Sequence, residues 1–403
     1  MESQEGSSGS QLHVVMFPWL AFGHITPFVQ LSNKLASHGV QISFLSAPVN
    51  IQRISSSLSS SPLIKIIPVH IPAVDGLPPG LGCTADMSPA LADLLKVALD
   101  KMQPQIESLL IDLEPHIVFI DFVQHWFPSI ASPLIRYQNF PFRSLRSCLR
   151  SLLLTNVSKQ CENCLTLLLL KSCDEMEGPY LDYISKIYGK PVLLTGPLVP
   201  EPPIDKLEEK WEKWLQKFPA KSVVFCSFGS ETFLQDEQIK ELVLGLEQTG
   251  LPFIAVLNFV PDGGGDSNVK LKIAFPIGFA ERVQDRGMVH TGWVQQQLIL
   301  AHDSVGCYVC HAGLSSVIEA FMNDCQLVLL PQRGDQFLNS KLVSGDLEAG
   351  VQVTRDDEHG HFNEEDLCTS LLIMGNGKDF LLKKYIQDSF ITNFVAEMKR
   401  IVN

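Results

Sequence analysis

The sequence predicts an α/β protein made of two successive halves, each a parallel sheet with helices on both faces. Three observations carry this. Short apolar runs recur along the chain, such as His13–Pro18 (HVVMFP), Ile117–Ile120 (IVFI) and Val305–Cys310 (VGCYVC). Strands of a parallel sheet are buried on both faces, so they read as continuous apolar runs rather than as alternation. The first run is followed by a helical pattern and then another strand, a β-α-β start. A proline-rich stretch, Thr195–Pro203 (TGPLVPEPP), punctuates the chain near its middle as a stiff linker would.

Taken in order, residues 1–11 are polar and lack the basic stretch of a signal peptide, so the chain is expected in the cytosol. His13–Pro18 is the first strand. Phe22-Gly23-His24-Ile25-Thr26-Pro27 opens an amphipathic helix that closes near Ser37 and Gly39, and Val40–Leu45 is the second strand. His24 thus stands at the carboxyl end of the first strand, where open α/β sheets place ligands. Ile117–Ile120 is a further buried strand and ends in an acid, Asp121; Asp112 and His116 before it read as surface residues. Ile135–Cys164 breaks the pattern, with Arg136, Arg143, Arg146 and Arg150 in an otherwise acidic chain. The second half opens on Ser222–Ser230 (SVVFCSFGS), a strand running into a Ser-Phe-Gly-Ser turn. Asp262–Asn268 reads as a surface loop, Ser315–Met322 as a helix, and Lys383–Val402 as a last amphipathic helix. The expected organisation is a domain over 12–192, a linker over 193–220, a domain over 221–382 and a terminal helix over 383–403.

Composition narrows the function. A chain of 403 residues that is 45% hydrophobic can bury two sizeable cores. A net charge of −13 argues against nucleic acid as partner. Leu165–Leu170 is among the purest apolar runs and is far too short for a membrane span. The ten cysteines are expected as reduced thiols, since Cys161-x-x-Cys164 has no second pair at zinc spacing. Asn156-Val157-Ser158 fits a glycosylation sequon but has no meaning without secretion. No metal-ligand cluster stands out, and no Gly-x-Gly-x-x-Gly follows a strand, which disfavours a nicotinamide oxidoreductase.

The densest chemistry lies between Trp293 and Gln336. Trp293 offers a flat aromatic face beside Val294 and Gln296. The turn His311-Ala312-Gly313-Leu314-Ser315-Ser316 lies between a strand and a helix start, where unpaired N–H groups and the helix dipole suit a diphosphate. His311, Ser315 and Ser316 add side-chain donors, and Gly313 permits close approach. Glu319 follows on the same helix face and can accept from ribose hydroxyls. Asp335 and Gln336 offer acceptors and donors for sugar hydroxyls. Ser316-x-x-Glu319 also fits a capping box with no ligand.

The order and spacing of these residues resemble the donor signature of plant UDP-dependent glycosyltransferases, and the resemblance reaches His24, Asp121 and the Ser227–Ser230 turn. It implies two facing Rossmann-like domains, the GT-B fold, with the acceptor on the first and the donor on the second, and water excluded from the cleft. It implies His24 as general base, oriented by Asp121, and direct displacement with inversion at the anomeric carbon. It implies Ser230, Trp293, Val294, Gln296, His311, Gly313, Ser315, Ser316, Glu319, Asp335 and Gln336 as the donor site, with no metal or other cofactor. UDP-glucose is the favoured co-substrate, on Gln336, with UDP-xylose and UDP-rhamnose open. The final helix would pack back on the first domain, and a monomer is expected. Leu314-Ser315 where most members have Trp-Asn, and the opening Met16–Phe28, resemble the branch-forming members that add a sugar to a flavonoid or anthocyanin glycoside. The chain is shorter than a typical member, and 134–168 is where the family has a core strand and much of the acceptor wall. The alternative is therefore a UDP-binding relative impaired in transfer. A sugar-nucleotide epimerase of the same architecture is disfavoured by the match at His24 and Asp121.

Overall fold

The computed structural model describes residues 11–58, 60–121, 123–127, 130, 143–147, 167–188, 192–198, 206–230, 232–259, 267–356, 361–373 and 388–402. The chain divides into two compact units, Met1–Leu198 with Gln387–Asn403, and Val199–Ile386.

The first unit holds seven strands: β1 (His13–Phe17), β2 (Gln41–Ser46), β3 (Ile64–Pro68), β4 (Ile117–Ile120), β5 (Arg143–Ser147), β6 (Leu167–Leu170) and β7 (Val192–Leu194). They lie in the order β3-β2-β1-β4-β5-β6-β7, and all neighbours pair in parallel. Both faces are covered. Val14 and Met16 join one cluster with Leu31, Leu35 and Phe119, while Val15 and Phe17 join another with Leu95, Ile106 and Ile120. Each such side chain contributes about 1.5–3 kcal/mol of burial, which is why β1 is apolar from Val14 to Phe17. The sheet order turns back between β1 and β4. That is the switch point where strand ends diverge and leave a crevice.

Helix Asp388–Val402 belongs to this first unit. Ile391, Phe394, Val395 and Met398 are buried with Leu31 and Phe119, and the Phe394 and Phe119 rings stack at 6.1 Å. β5 comes from the arginine-bearing segment that the sequence leaves without an element, and it fills the sheet between β4 and β6. The remainder of that segment, with Cys161, Cys164 and the sequon at Asn156, lies outside the described residues.

The second unit holds β8 (Val223–Ser227), β9 (Phe253–Val256), β10 (Gly287–His290), β11 (Val305–Cys310), β12 (Gln326–Leu329) and β13 (Gly350–Gln352). Their order, β10-β9-β8-β11-β12-β13, is also parallel throughout and switches between β8 and β11. Residues 206–220 are not bare linker: helix Glu209–Leu215 buries Trp211, Trp214 and Leu215. Most of the glycine loop, 260–266, and the prolines at 200, 202 and 203 lie outside the described residues. Ser267 and Asn268, expected in that loop, instead begin helix Ser267–Ala274. His116, expected at the surface, is half-buried, and its Nδ1 accepts the His13 backbone N–H at 3.0 Å. Among the described residues no helix is long and apolar enough to cross a membrane.

Candidate active site

In the first unit the switch point places a histidine against a carboxylate. After β1 the chain turns through Pro18–Ala21 into helix Phe22–Ser37, whose N-cap is Ala21 without a side-chain cap. The backbone N–H groups of His24 and Ile25 both donate to the Ala21 carbonyl, at 2.9 and 2.8 Å, and fix the first turn. Pro27 has no N–H to close the ladder on the Gly23 carbonyl, so this turn is held by fewer bonds than the rest of the helix. His24 Nδ1 lies 2.8 Å from Asp121 Oδ2, with His24 20% exposed and Asp121 fully buried. The Trp19 backbone N–H donates to the same oxygen at 3.4 Å. A carboxylate against Nδ1 holds the ring proton there and leaves the Nε2 lone pair as the acceptor. The cavity beside the pair is lined by Phe28, Leu31, Phe119, Lys171 and Thr195 among others, an apolar wall with a cation and a hydroxyl.

In the second unit the turns after β8 and β11 meet at His311. A Cβ on Gly229 would lie 3.1 Å from His311 Cε1, and one on Gly313 would lie 2.6 Å from its Nε2. The ring is gripped between two glycines, and Gly229 also has φ +73°. Gly313 has an ordinary φ of −62°, so it is the imidazole, not the backbone conformation, that excludes a side chain there. The left-handed residue of the turn is Ala312, at φ +61°, a strained conformation for an L-residue. Burial, helped by Arg333, lowers the His311 pKa to about 4, so the ring is neutral at pH 7. Its Nδ1 is buried and has no hydrogen-bond partner among the described residues.

Helix Leu314–Met322 starts at Gly313 with no side-chain cap, leaving its first N–H groups for another partner. Ser316 is therefore inside the helix, and Ser316 with Glu319 does not form a capping box. Both are buried. Glu319 Oε2 accepts from Gln296 Nε2 at 2.7 Å, and Gln296 Oε1 accepts from the Tyr308 hydroxyl at 3.1 Å. Burial raises the Tyr308 pKa well above its usual value, which keeps the phenol a donor. Trp293 is 79% exposed and presents a free face, while Val294 behind it is buried. Gln336 Oε1 accepts two backbone N–H groups, from Gln332 at 2.9 Å and Arg333 at 3.0 Å, so only its NH₂ is left to donate.

A family profile described as UDP-glucoronosyl and UDP-glucosyl transferase matches residues 188–380. An anthocyanidin-3-O-glucoside rhamnosyltransferase of Petunia hybrida is 48% identical, covering 99% of this chain and 98% of its own. The chain belongs to the UDP-glycosyltransferase family. An anthocyanidin 3-O-glucoside 2''-O-glucosyltransferase of Ipomoea nil is 38% identical over 91% of this chain and 90% of its own. Among solved structures, Arabidopsis thaliana UGT89C1 complexed with UDP-L-rhamnose matches with a TM-score of 0.82 at 21% identity, covering 98% of this chain and 100% of its own. That likeness gives the fold: two Rossmann-like domains. The Petunia alignment runs over 468 positions against a chain of 403, so at least 65 positions of that glycosyltransferase have no counterpart here.

Within this glycosyltransferase the residues read from sequence fall into two groups. His24 and Asp121 are in hydrogen-bond contact in the first unit. Trp293, Val294, Gln296, His311, Gly313, Ser315, Ser316, Glu319, Asp335 and Gln336 lie along the β10–β12 loops and helices of the second, and Ser230 lies exposed after β8. Three residues that tie the second group together escape the sequence reading. Asn339 Nδ2 donates to the Ala312 carbonyl at 3.0 Å and to Asp335 Oδ2 at 3.3 Å. Asn258 donates to the Gly229 carbonyl at 3.4 Å and accepts the Gly292 N–H at 2.9 Å. Tyr308 is the third. Asn339 falls one helical turn after Asp335, a spacing that could have flagged it; Asn258 and Tyr308 carry no local signal.

Proposed function

We propose that this enzyme moves a sugar, with inversion, from a UDP-sugar to a hydroxyl on the sugar of a flavonoid or anthocyanin glycoside. The observation that carries the chemistry is the His24–Asp121 contact at 2.8 Å. The acceptor O–H gives its proton to His24 Nε2 as the oxygen attacks the anomeric carbon. The bond from that carbon to the β-phosphate oxygen breaks, UDP leaves with the electron pair, and Asp121 stabilises the imidazolium. Charge developing on the diphosphate meets the helix N-terminus at Leu314, His311 and the serines. Trp293 stacks on uracil, Glu319 holds the ribose hydroxyls, and Asp335 and Gln336 hold the sugar. Gln296, anchored between Tyr308 and Glu319, orients that carboxylate.

The acceptor class is supported by the two plant relatives, both of which are named for acting on anthocyanidin 3-O-glucosides. The preference for glucose rests on Gln336. Its carbonyl oxygen is committed to two backbone N–H groups, which reduces it to a donor, and the 48% relative is a rhamnosyltransferase. UDP-rhamnose therefore stands beside UDP-glucose as donor. The test is incubation of the purified protein with UDP-glucose, UDP-rhamnose or UDP-xylose and cyanidin 3-O-glucoside, read by mass spectrometry. A diglycoside with one of the donors supports the proposal. Thermal stabilisation by UDP with no product from any donor favours the impaired relative instead.

A further inference from the structure

We propose that Gln124 is a positioning residue for the His24–Asp121 pair, acting as an amide clamp across the switch point of the first sheet. β1 and β4 pair in register up to Phe17 and Ile120. Just beyond that last pair, Gln124 Oε1 accepts the Asp121 backbone N–H at 2.8 Å, and Gln124 Nε2 donates to the Phe17 carbonyl at 3.1 Å. One fully buried amide thus joins the ends of the two strands that carry the pair. Its two halves are matched to one backbone donor and one backbone acceptor. No apolar residue, and no carboxylate in its ionised form, satisfies both.

The clamp acts on Asp121 rather than on the substrate. Asp121 must hold Oδ2 at 2.8 Å from His24 Nδ1, and its side chain swings from the backbone that Gln124 fixes. Buried backbone groups left without partners seek others by moving. Loss of the amide therefore lets Asp121 drift, lengthens its bond to His24 and weakens its hold on the imidazolium. The clamp depends on the base role given to His24 above for its relevance to turnover, but its effect on the imidazole is independent of any transfer. The ionisable groups on the cavity wall shared with His24 are Asp121 and Lys171. Both are kept in Gln124→Met, so a change at His24 in that variant reports Asp121's placement.

The experiment is the titration of the His24 imidazole by NMR of ¹³C-histidine-labelled full-length protein, assigned by loss of the signal in His24→Gln. Gln124→Met keeps the volume and removes both hydrogen bonds. The His24 pKa is expected to fall by about one unit, because an opposite charge is less firmly held beside it. Gln124→Glu keeps the acceptor for the Asp121 N–H, and once ionised it adds a negative charge behind the pair; its expected effect is a rise. Adding Gln124→Met to Asp121→Asn should produce no further fall, since the clamp works only through that carboxylate. The acidic limb of kcat/KM follows the same directions where transfer is assayed. A His24 titration unmoved in Gln124→Met, or an equal fall in the Asp121→Asn background, overturns the proposal. If Gln124→Met does not fold, Gln124→Glu is read in both backgrounds: loss of the bond to Phe17 predicts a smaller rise with Asp121 than with Asp121→Asn, and an equal rise overturns the proposal. Absence of sugar transfer by the wild type refutes the proposed function without touching these shifts.

Discussion

His311 makes the second unit acid-sensitive in a way that can be measured against a single substitution. Its folded pKa of about 4 lies below the ordinary 6.5 because burial, aided by Arg333, disfavours the charged ring. The unfolded chain therefore binds the proton first. The stability linked to a neutral His311 is fully present above pH 6.5 and is lost as pH falls toward about 4. The whole gap corresponds to about 3 kcal/mol, at roughly 1.4 kcal/mol per pH unit, and about 2 kcal/mol of it is gone by pH 5. His311→Gln removes the titration and leaves a smaller side chain between Gly229 and Gly313. Other titrating groups are common to both proteins and cancel in the difference. The Tm advantage of wild type over His311→Gln should shrink between pH 7.5 and pH 5 by about 4–8 °C for a unit of this size. A difference that does not change with pH would refute the burial argument, because the ring would then be open to protonation in the folded state.

Gly313→Ala should push a Cβ into His311 Nε2, 2.6 Å away; overpacking of this kind costs about 1–3 kcal/mol, read as a lower Tm and at least about tenfold weaker UDP binding by calorimetry. Asn339→Ala frees the left-handed Ala312 carbonyl and Asp335 together. It should cost about 1–3 kcal/mol of stability and, if Asp335 holds the sugar as proposed, weaken UDP-sugar more than UDP. His24→Ala should lower kcat by roughly 10²–10⁴ and leave the Kd for UDP, measured by calorimetry, unchanged. Turnover at the wild-type rate would remove His24 from the mechanism.

The parts of the fold legible in the sequence were those buried on both faces. β1 after His13 and β4 read as unbroken apolar runs because each side is packed into a core cluster, and β11 reads so because it is buried along nearly its whole length. β5 was not legible. Arg143 and Arg146 interrupt its pattern, and what makes it a strand is pairing with β4 and β6 rather than its own residues. β10 and β13 are half-buried throughout, so their pattern is weak. The site divides the same way. His24, Asp121, His311 and Glu319 announce themselves by residue type and by their place after strands. The wiring does not: Gln124 reaches Phe17 across 107 residues and Asn258 reaches Gly292 across 34. Contacts at such separations follow from strand order, which a residue pattern does not contain. Gln296 illustrates the limit. Its residue type and place after Trp293 mark it in sequence, but its hydrogen bonds to Tyr308 and Glu319 are not in the pattern.

A crystal structure with UDP would show whether the second unit grips a UDP-sugar through the turn at His311. The expected complex has uracil on Trp293, ribose hydroxyls on Glu319 and the diphosphate on the N–H groups from Leu314 onward, against His311. A nucleotide bound away from Trp293 and Glu319 would contradict it.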